Sequence, residues 1–256
     1  MGDHVRVGRE GAILTLVLAR PEKKNALTAA MYRSLADAIE SAQSDDRIHV
    51  IALTGDGDLF SAGNDVGDFI EVARHGDLPP DTVRFLRLLA GNRKPLVAGV
   101  QGRAVGVGMT LLLHCDYVVL ADDALLSAPF VNLALVPEAA SSLLLPARIG
   151  HPRAFSVFAL GEVVDAAKAL VWGLANEIVP RAGLGDAVRA VAGRLARQPL
   201  EALLATKALM RPLPAISEQM TREFEQFMQR LASEEARAAF AAFLERRPTE
   251  GATSRR

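Results

Sequence analysis

Short runs of apolar and β-branched residues punctuate the first half of the chain and predict β-strands. The run IHVIALTG (48–55) has no polar alternation after His49, which predicts a strand that is buried on both faces. The other predicted strands are AILTLVLA (12–19), PLVAGVQG (95–102), YVVLA (117–121) and LLSAPF (125–130).

Segments with helical periodicity separate these runs. A helix is predicted behind the candidate N-cap Thr28, and further helices are predicted over residues 81–91 and, in a buried position, over 109–116. Beyond Glu138 the chain is predicted to be mostly helical, apart from EIVP (177–180). Strands that alternate with helices favour an α/β fold with a mainly parallel sheet, in which ligands gather at the carboxyl ends of the strands.

The composition changes near residue 185, where helices rich in alanine, leucine, arginine and glutamate begin. We therefore divide the chain into a core at residues 1–190 and a C-terminal helical module at residues 191–256. We expect that module to serve assembly into oligomers.

Composition and charge narrow the class of protein. Half of the 256 residues are hydrophobic, and the net charge of −1 provides no basic face for nucleic acid or an anionic membrane. The single cysteine, Cys115, forms no disulfide framework, which is typical of a reducing compartment. The sequence has neither an apolar leader nor a run long enough to span a bilayer. These features predict a soluble, cytoplasmic protein.

Two strand-to-helix junctions, FSAGND (60–65) and GRAVGVG (102–108), are candidate ligand sites. The second junction does not fit the dinucleotide pattern G-x-G-x-x-G, because Leu111 stands at the third glycine position. Two interpretations remain open for it. It is either a plain tight turn or a helix N-terminus whose backbone N–H groups bind an anion or a developing oxyanion.

The polar residues suggest no metal or serine-nucleophile site. We interpret Asp65 and Asp68 as solvated loop residues, since no histidine or further acid stands near them at ligand spacing. The five histidines are scattered, and His114 lies in an apolar segment, where we interpret it as a hydrogen-bonded core residue. Ser141 and Ser142 lack a G-x-S-x-G elbow.

Glu138 is the one carboxylate in the apolar stretch LVPEAASSLLLP (135–146). Two interpretations are open. An acid directly after Pro137 in the first turn of a helix stabilises the helix dipole and needs no further purpose. A desolvated carboxylate has a raised pKa, so it can take and return a proton near neutral pH.

Several segments, in this order, resemble the crotonase family, also called the enoyl-CoA hydratase/isomerase superfamily. They are RPEKKNALTAAM (20–31), FSAGNDVGDF (60–69), VQGRAVGVGMTLLLHCDYVVLADDA (100–124) and the run from Pro146 to Pro180. The resemblance implies a crotonase-like spiral of ββα units with C-terminal helices that build homotrimers or hexamers. It also implies an acyl-CoA thioester substrate, with coenzyme A as part of the substrate and no separate cofactor.

The resemblance assigns roles to individual residues. The oxyanion donors would be the backbone N–H groups of Asn64 and Val107, the latter standing where glycine is usual. For Lys23, Lys24 and Arg246 an ordinary solvated surface remains the alternative. Phe130, with Leu133, Val136 and Leu143, would form a nonpolar lining. The remaining residues implied in coenzyme A binding are Lys23, Lys24, Ala26, Leu27, Ala62, Gly63, Asp65, Val66, Phe243 and Arg246.

The acids distinguish between reactions within the family. Hydratases of the family use two glutamates, and the corresponding positions here are Thr110 and Phe130. Glu138 instead aligns with the glutamate of peroxisomal-type Δ3,Δ2-enoyl-CoA isomerases, whose P-E-G-C-S-S motif is similar to PEAASS (137–142). The resemblance therefore implies isomerisation of 3-enoyl-CoA to trans-2-enoyl-CoA through a dienolate, with Glu138 as the proton shuttle. A hydratase or thioester hydrolase of the same fold, or a non-catalytic CoA-binding protein, is the alternative.

Overall fold

The structure, a computed structural model, describes residues 4–65, 67–68, 72 and 78–245, without the side chains of residues 243 and 244. Its strands are β1 (Val5–Glu10), β2 (Ile13–Leu18), β3 (Val50–Gly55), β4 (Leu96–Val100), β5 (Arg103–Val105), β6 (Tyr117–Ala121), β7 (Leu125–Ser127), β8 (Val164–Asp165) and β9 (Glu177–Val179). Its α-helices are α1 (Ala29–Ser44), α2 (Pro80–Ala90), α3 (Val107–Thr110), α4 (Ser141–Ile149), α5 (His151–Phe155), α6 (Ala166–Val171), α7 (Leu184–Ala196), α8 (Leu200–Met210), α9 (Leu213–Leu231) and α10 (Glu234–Glu245).

The larger sheet has the strand order β1-β2-β3-β4-β6-β9 among the described residues. β1 and β2 form an antiparallel hairpin, and every later pair is parallel, with Ile13 opposite Val50 and Ile51 opposite Leu96. The predicted α/β fold with a mainly parallel sheet is confirmed. The apolar pattern missed β1, because an edge strand is exposed along most of its length and only Val5 is buried.

Strand β3 is buried on both faces, as its uniform apolar character predicts. Ile51 and Leu53 face the main core, whereas Val50 and Ala52 face a second core on the other side of the sheet. Helix α7 covers that second face through residues such as Val188. The division of the chain at residue 190 stays a prediction, and the structure places this position inside α7.

A smaller sheet extends the fold beyond β4. β5 pairs in parallel with β7, and β7 pairs antiparallel with β8. Gly102, at the bend between β4 and β5, has a positive φ of 57°, and a Cβ there would lie 2.3 Å from the carbonyl oxygen of Asp58. The bend therefore requires glycine, and it aims β5 toward the loop that follows β3.

The C-terminal helices extend back over the core. Helix α9 contacts both α2 and α4, and its Ile216 packs with Ala90 and Ala140. Its other end joins the main core through Phe227 and Leu231. None of the helices in the described ranges is long and apolar enough to cross a membrane.

The loop before α1 is fixed by one buried amide, that of Asn25. Asn25 is fully buried and has a left-handed backbone, with φ of 49°. Its Oδ1 accepts from the Arg20 N–H at 2.8 Å, and its Nδ2 donates to the carbonyls of Asp56 at 2.8 Å and Leu59 at 2.9 Å. The side chain thus joins the 20–27 loop to the loop after β3.

We expect Asn25→Ala to lower the free energy of unfolding by about 3 kcal/mol, because it removes three hydrogen bonds to partly buried backbone groups, each worth about 1 kcal/mol. Urea denaturation would measure the loss. Ser41→Ala, on the exposed face of α1, is the control and should change stability by less than about 0.5 kcal/mol. Equal effects of the two substitutions would contradict the role given to Asn25.

Candidate active site

A cavity of about 440 Å³ lies among α1, α2, α9 and the turn that follows Pro137. Its walls are mainly apolar, with Leu86 from α2 and Met220, Phe224 and Phe227 from α9. A largely apolar cavity with a few convergent polar groups is typical of a small-molecule site. The polar residues that line it include Tyr32, Asn64, Asp68, Glu138 and Glu223.

The two glycine-containing junctions lie side by side next to this cavity. The Ser61 N–H donates to the Arg103 carbonyl at 3.1 Å, and the Val105 N–H donates to the Ser61 carbonyl at 3.0 Å. Gly63 has φ of 89°, and a Cβ there would lie 2.8 Å from the Val105 carbonyl oxygen. This close approach requires glycine and brings Asn64 beside the start of α3.

The backbone N–H groups of Asn64 and Val107 are not engaged by the strand pairing or the helix in which they lie. Leu27 pairs with Asn64 through the amides and carbonyls on either side of Asn64, which directs the Asn64 N–H away from Leu27. Val107 begins α3 directly after Gly106, and the first amide of a helix has no acceptor within that helix. The strand-to-helix turn interpreted from GRAVGVG is therefore present.

Glu138 does not lie in a helix. Helix α4 begins three residues later at Ser141, whose N–H donates to the Glu138 carbonyl at 3.0 Å. Ala139 and Ala140 both have left-handed backbones, with φ of 59° and 55°. The interpretation of Glu138 as a first-turn helix acid is wrong, because two consecutive left-handed alanines delay the helix, and alanine gives no sequence signal for that conformation.

The carboxyl of Glu138 faces the cavity and contacts Thr110. The Thr110 hydroxyl, which is buried, donates to Glu138 Oε1 at 2.5 Å. Burial raises the pKa of Glu138 to about 7, the Thr110 hydrogen bond opposes that rise, and the charge of Glu223 adds to it. A carboxyl with this pKa can exist in either protonation state near neutral pH, as the desolvated-carboxylate interpretation requires.

His114 contacts the turn that follows Glu138 through the backbone of Ala139. Its Nε2 lies 2.7 Å from the carbonyl oxygen of Ala139, and its Nδ1 contacts the Arg211 guanidinium. Burial lowers the pKa of His114 to about 3, so the ring is neutral and donates to Ala139. The prediction of a hydrogen-bonded core histidine is confirmed, and its partner is the residue directly after Glu138.

Glu223, on α9, is a buried carboxylate that the sequence did not single out. It accepts hydrogen bonds from the backbone N–H groups of Ala140 at 2.5 Å and Ser142 at 2.9 Å, and from the Ser142 hydroxyl. Its partners lie more than 80 positions away in the chain, and a glutamate among the charged residues of a C-terminal helix is normally interpreted as a solvated one.

Tyr32 was also missed. It lies on α1, is buried, lines the cavity, and donates from its hydroxyl to Oδ1 of Asn64. Burial raises the pKa of Tyr32 well above its ordinary value, and the charges of Glu138 and Asp68 add to that effect. The phenol thus remains a hydrogen-bond donor to the Asn64 side chain.

The interpretation of Asp65 and Asp68 as solvated loop residues is wrong. Asp65 forms an ion pair with Arg20 at 2.6 Å, and Asp68 accepts from the Ala29 N–H at 3.0 Å, which stabilises the start of α1. Both carboxylates therefore anchor the loop to its neighbours. Among the described residues, no three histidine, cysteine, aspartate or glutamate side chains gather as a metal site would need.

Of the residues implied in coenzyme A binding, some lie beside the cavity, some are exposed, and some lie outside the described residues. Leu27 lines the cavity, and Ala62 donates its N–H to the Lys24 carbonyl at 2.9 Å, so the 23–27 loop and the 62–65 segment are neighbours. The side chains of Lys23 and Lys24 are exposed, and Ala26 lies between them and Leu27. Val66, Arg246 and the side chain of Phe243 lie outside the described residues.

The nonpolar lining implied for the site lies elsewhere. Phe130 is buried against Phe158, with ring centroids 6.0 Å apart, and is not part of the cavity wall. Leu133, Val136 and Leu143 are likewise absent from the wall among the residues described. Helices α2 and α9 form the wall instead, because the chain returns from its C-terminal part to cover the site.

The sequence family follows from comparison with known proteins. The family model described as Enoyl-CoA hydratase/isomerase matches residues 8–251. The chain belongs to the enoyl-CoA hydratase/isomerase family. It is therefore a crotonase-superfamily acyl-CoA enzyme, and the resemblance to that superfamily is confirmed.

Individual members of this family are similar to the chain along most of its length. The chain is 33% identical over 246 residues to the 1,2-epoxyphenylacetyl-CoA isomerase of Escherichia coli strain K12, covering 93% of this chain and 94% of that protein. It is 32% identical over 256 residues to enoyl-CoA delta isomerase 2 of Rattus norvegicus, covering 95% of this chain but 64% of that longer protein.

Solved structures of the family share the fold. The crystal structure of an enoyl-CoA hydratase/isomerase from Pseudoalteromonas atlantica T6c has a TM-score of 0.90 at 38% identity, and the match covers 95% of this chain and 98% of that one. Further relatives of similar identity are named hydratases. The family therefore includes proteins named for both reactions.

The close approach at Gly63 predicts a specific steric effect. Gly63→Ala should lower the free energy of unfolding by about 1–3 kcal/mol more than Gly11→Ala, since only the first adds a clash to the cost of a positive φ. Gly11 has φ of 56° and open space around its Cβ position, so it is the matched control. Thermal or urea denaturation would measure both, and equal losses would contradict the tight contact.

The raised pKa of Glu138 predicts an effect on stability. The unfolded chain ionises this carboxyl near its ordinary pKa of 4.5, and the folded chain near 7, so ionisation favours unfolding as the pH rises through that range. Glu138→Gln, which stays neutral, should be more stable than the natural protein at pH 8 by up to about 3 kcal/mol. Denaturation at pH 5 and pH 8 would test this, and a pH-independent difference would contradict it.

Proposed function

We propose that the protein is a Δ3,Δ2-enoyl-CoA isomerase, which converts a 3-enoyl-CoA to the trans-2-enoyl-CoA. The observation that carries the proposal is the placement of Glu138, a carboxyl with a pKa of about 7, on the wall of an apolar cavity that Asn64 also lines. The two positions that hold glutamates in hydratases of the family are Thr110 and Phe130 here.

The reaction moves one proton between two carbons of the acyl group. Glu138, as the carboxylate, takes a proton from C2, and the C–H electrons enter a dienolate that extends to the thioester oxygen. The protonated carboxyl then returns a proton to C4, and the double bond settles between C2 and C3. Only protons and π electrons move, so the chemistry requires no redox or metal cofactor, and coenzyme A is part of the substrate.

The developing charge on the thioester oxygen needs fixed donors. We assign that role to the backbone N–H groups of Asn64 and Val107, whose segments meet through Ser61 and Gly63. Two such donors stabilise the enolate more than the ground-state carbonyl, because the oxygen carries more charge in the transition state. The short α3 adds the positive end of its backbone dipoles at Val107.

In this proposal Thr110 orients Glu138 and does not act as an acid or base. At the position of a hydratase acid it provides a hydroxyl that donates to Glu138. A threonine hydroxyl is too weak a base to activate water, but it can orient a carboxylate. Phe130 has no ionisable group, and it packs against Phe158 away from the cavity wall.

The remaining assignments complete the proposed enzyme. The loop of Lys23, Lys24, Ala26 and Leu27 and the backbone of residues 62–66 would bind the coenzyme A part, with Phe243 and Arg246 from the C-terminal region. The acyl group would enter the cavity between α2 and α9, where apolar side chains exclude water that would quench the dienolate. Assembly into homotrimers or hexamers is part of the same proposal.

A second candidate is the hydration of 2-enoyl-CoA, and the names of several relatives favour it. Such a reaction needs one group to activate water and another to protonate carbon. In this chain the other described carboxylates that line the cavity, Asp68 and Glu223, accept hydrogen bonds from backbone amides, which leaves Glu138 to do both. The two activities are separated by supplying 3-enoyl-CoA and 2-enoyl-CoA to the same preparation.

We expect Glu138→Gln to lower kcat for 3-enoyl-CoA by at least about 1,000-fold, since the amide cannot accept a proton from C2. The ultraviolet absorbance of the conjugated thioester would report the rate. For the natural protein, kcat/KM should rise with pH through about 7, because the free enzyme must hold Glu138 as the carboxylate.

Glu10→Gln, on the exposed edge strand β1, serves as the control and should leave both rate constants unchanged. Isomerisation that survives Glu138→Gln would disprove the mechanism. Hydration of 2-enoyl-CoA faster than isomerisation of 3-enoyl-CoA would favour the hydratase, and binding of the esters without either reaction would favour a non-catalytic protein.

A further inference from the structure

The turn that carries Glu138 cannot hold its shape by local contacts alone. Ala139 and Ala140 adopt left-handed backbones, which alanine disfavours, and Ala140 provides no side-chain cap for α4. The first amides of a helix also lack acceptors within it. Groups from elsewhere in the fold must therefore stabilise residues 138–142.

Glu223 supplies this support from the C-terminal helix α9. Its Oε2 accepts from the Ala140 N–H at 2.5 Å, and its Oε1 accepts from the Ser142 N–H at 2.9 Å and from the Ser142 hydroxyl. Glu223 is 5% exposed as a residue, so these amides are held by the carboxylate with little access for water. It acts as a cap for α4 that comes from 81 positions away.

The contacts of Glu223 argue against a role in proton transfer. Both carboxylate oxygens are engaged by the two backbone amides, donors that never give up their protons. These hydrogen bonds favour the ionised form, but burial outweighs them and raises the pKa of Glu223 above its ordinary value. A carboxylate engaged in this way is poorly suited to shuttle a proton to a substrate. Although it lines the cavity, its role differs from that of Glu138.

Three elements hold the turn at different atoms. Thr110 of α3 contacts the carboxyl of Glu138, His114 contacts the Ala139 carbonyl, and Glu223 holds the amides of Ala140 and Ser142. The dihedral angles at Ala139 and Ala140 set the direction in which the chain leaves Glu138. The amide contacts therefore fix where the Glu138 carboxyl lies in the cavity.

We propose that Glu223 is a positioning residue for the reaction, which holds the 138–142 turn so that Glu138 faces the reacting carbons. This inference rests on the proposed isomerase function. It predicts a dependence of catalysis on α9 that does not pass through substrate binding, because a displacement of about 1 Å in a reacting group lowers the rate of the chemical step.

The test compares three single variants with the natural protein. Glu223→Ala removes all three contacts and should lower kcat for 3-enoyl-CoA by about 100-fold, with KM changed less than about threefold. Glu223→Gln keeps the shape of the side chain and one acceptor oxygen. Its kcat should therefore lie between the kcat of the natural protein and that of Glu223→Ala. Gln219→Ala is the matched control, because Gln219 on the same helix donates to the Ser142 hydroxyl at 2.8 Å but contacts no amide of the turn.

Hydrogen exchange at the amides of Ala140 and Ser142 provides a readout that does not depend on activity. Both amides should exchange faster in the Glu223 variants than in Gln219→Ala. If Glu223→Ala does not fold, Glu223→Gln decides the question. A kcat for Glu223→Gln equal to that of Gln219→Ala, or a loss confined to KM, would overturn the proposal.

The outcome for Glu138→Gln separates this inference from the proposed function. If Glu138→Gln is inactive and the Glu223 variants keep their full kcat, the positioning role fails and the isomerase proposal stands. If Glu138→Gln remains active, the isomerase mechanism itself fails, whatever the Glu223 variants show.

Discussion

The site depends on the contact between two backbone segments, residues 61–64 and 103–107. Hydrogen bonds join them, and their approach is close enough that only glycine fits at position 63. From this contact follow the position of Asn64 beside Tyr32 and the start of α3 at Val107. Because α3 ends at Thr110, whose hydroxyl meets Glu138, the same contact also reaches the carboxyl.

Much of the fold could be predicted from local patterns. Uniform apolar runs predicted β2, β3, β4 and β6, since buried parallel strands are apolar along their length. Edge strand β1 was missed because exposure removes that signal. The roles proposed for Asn64, Val107 and Glu138 came from the resemblance to the family. The structure adds the environment of Glu138, which is buried, accepts from a hydroxyl and precedes two left-handed alanines.

What the sequence could not predict are the long-range contacts. Glu223 and the Ser142 amide are separated by 81 positions. The sequence of α9 does not distinguish this glutamate from the other charged residues of the helix. The cavity wall was misplaced for the same reason. Phe130, Leu133 and Val136 pack into the core and Leu143 is exposed, whereas α2 and α9 fold over the cavity. Residue type predicts candidates for a site, and tertiary packing decides which of them face it.

Helix α9 both lines the cavity and contacts the turn that follows Glu138. One of its faces contributes Met220 and Phe224 to the cavity wall, and Glu223 between them reaches the turn of Glu138. An exchange of side chains that reshapes the cavity for a different acyl group therefore risks shifting Glu138, the proposed proton shuttle. Under the proposed roles of Glu138 and Glu223, substrate range and turnover would not be independent traits for evolution or design, and a change in one would require compensation in the other along the same helix.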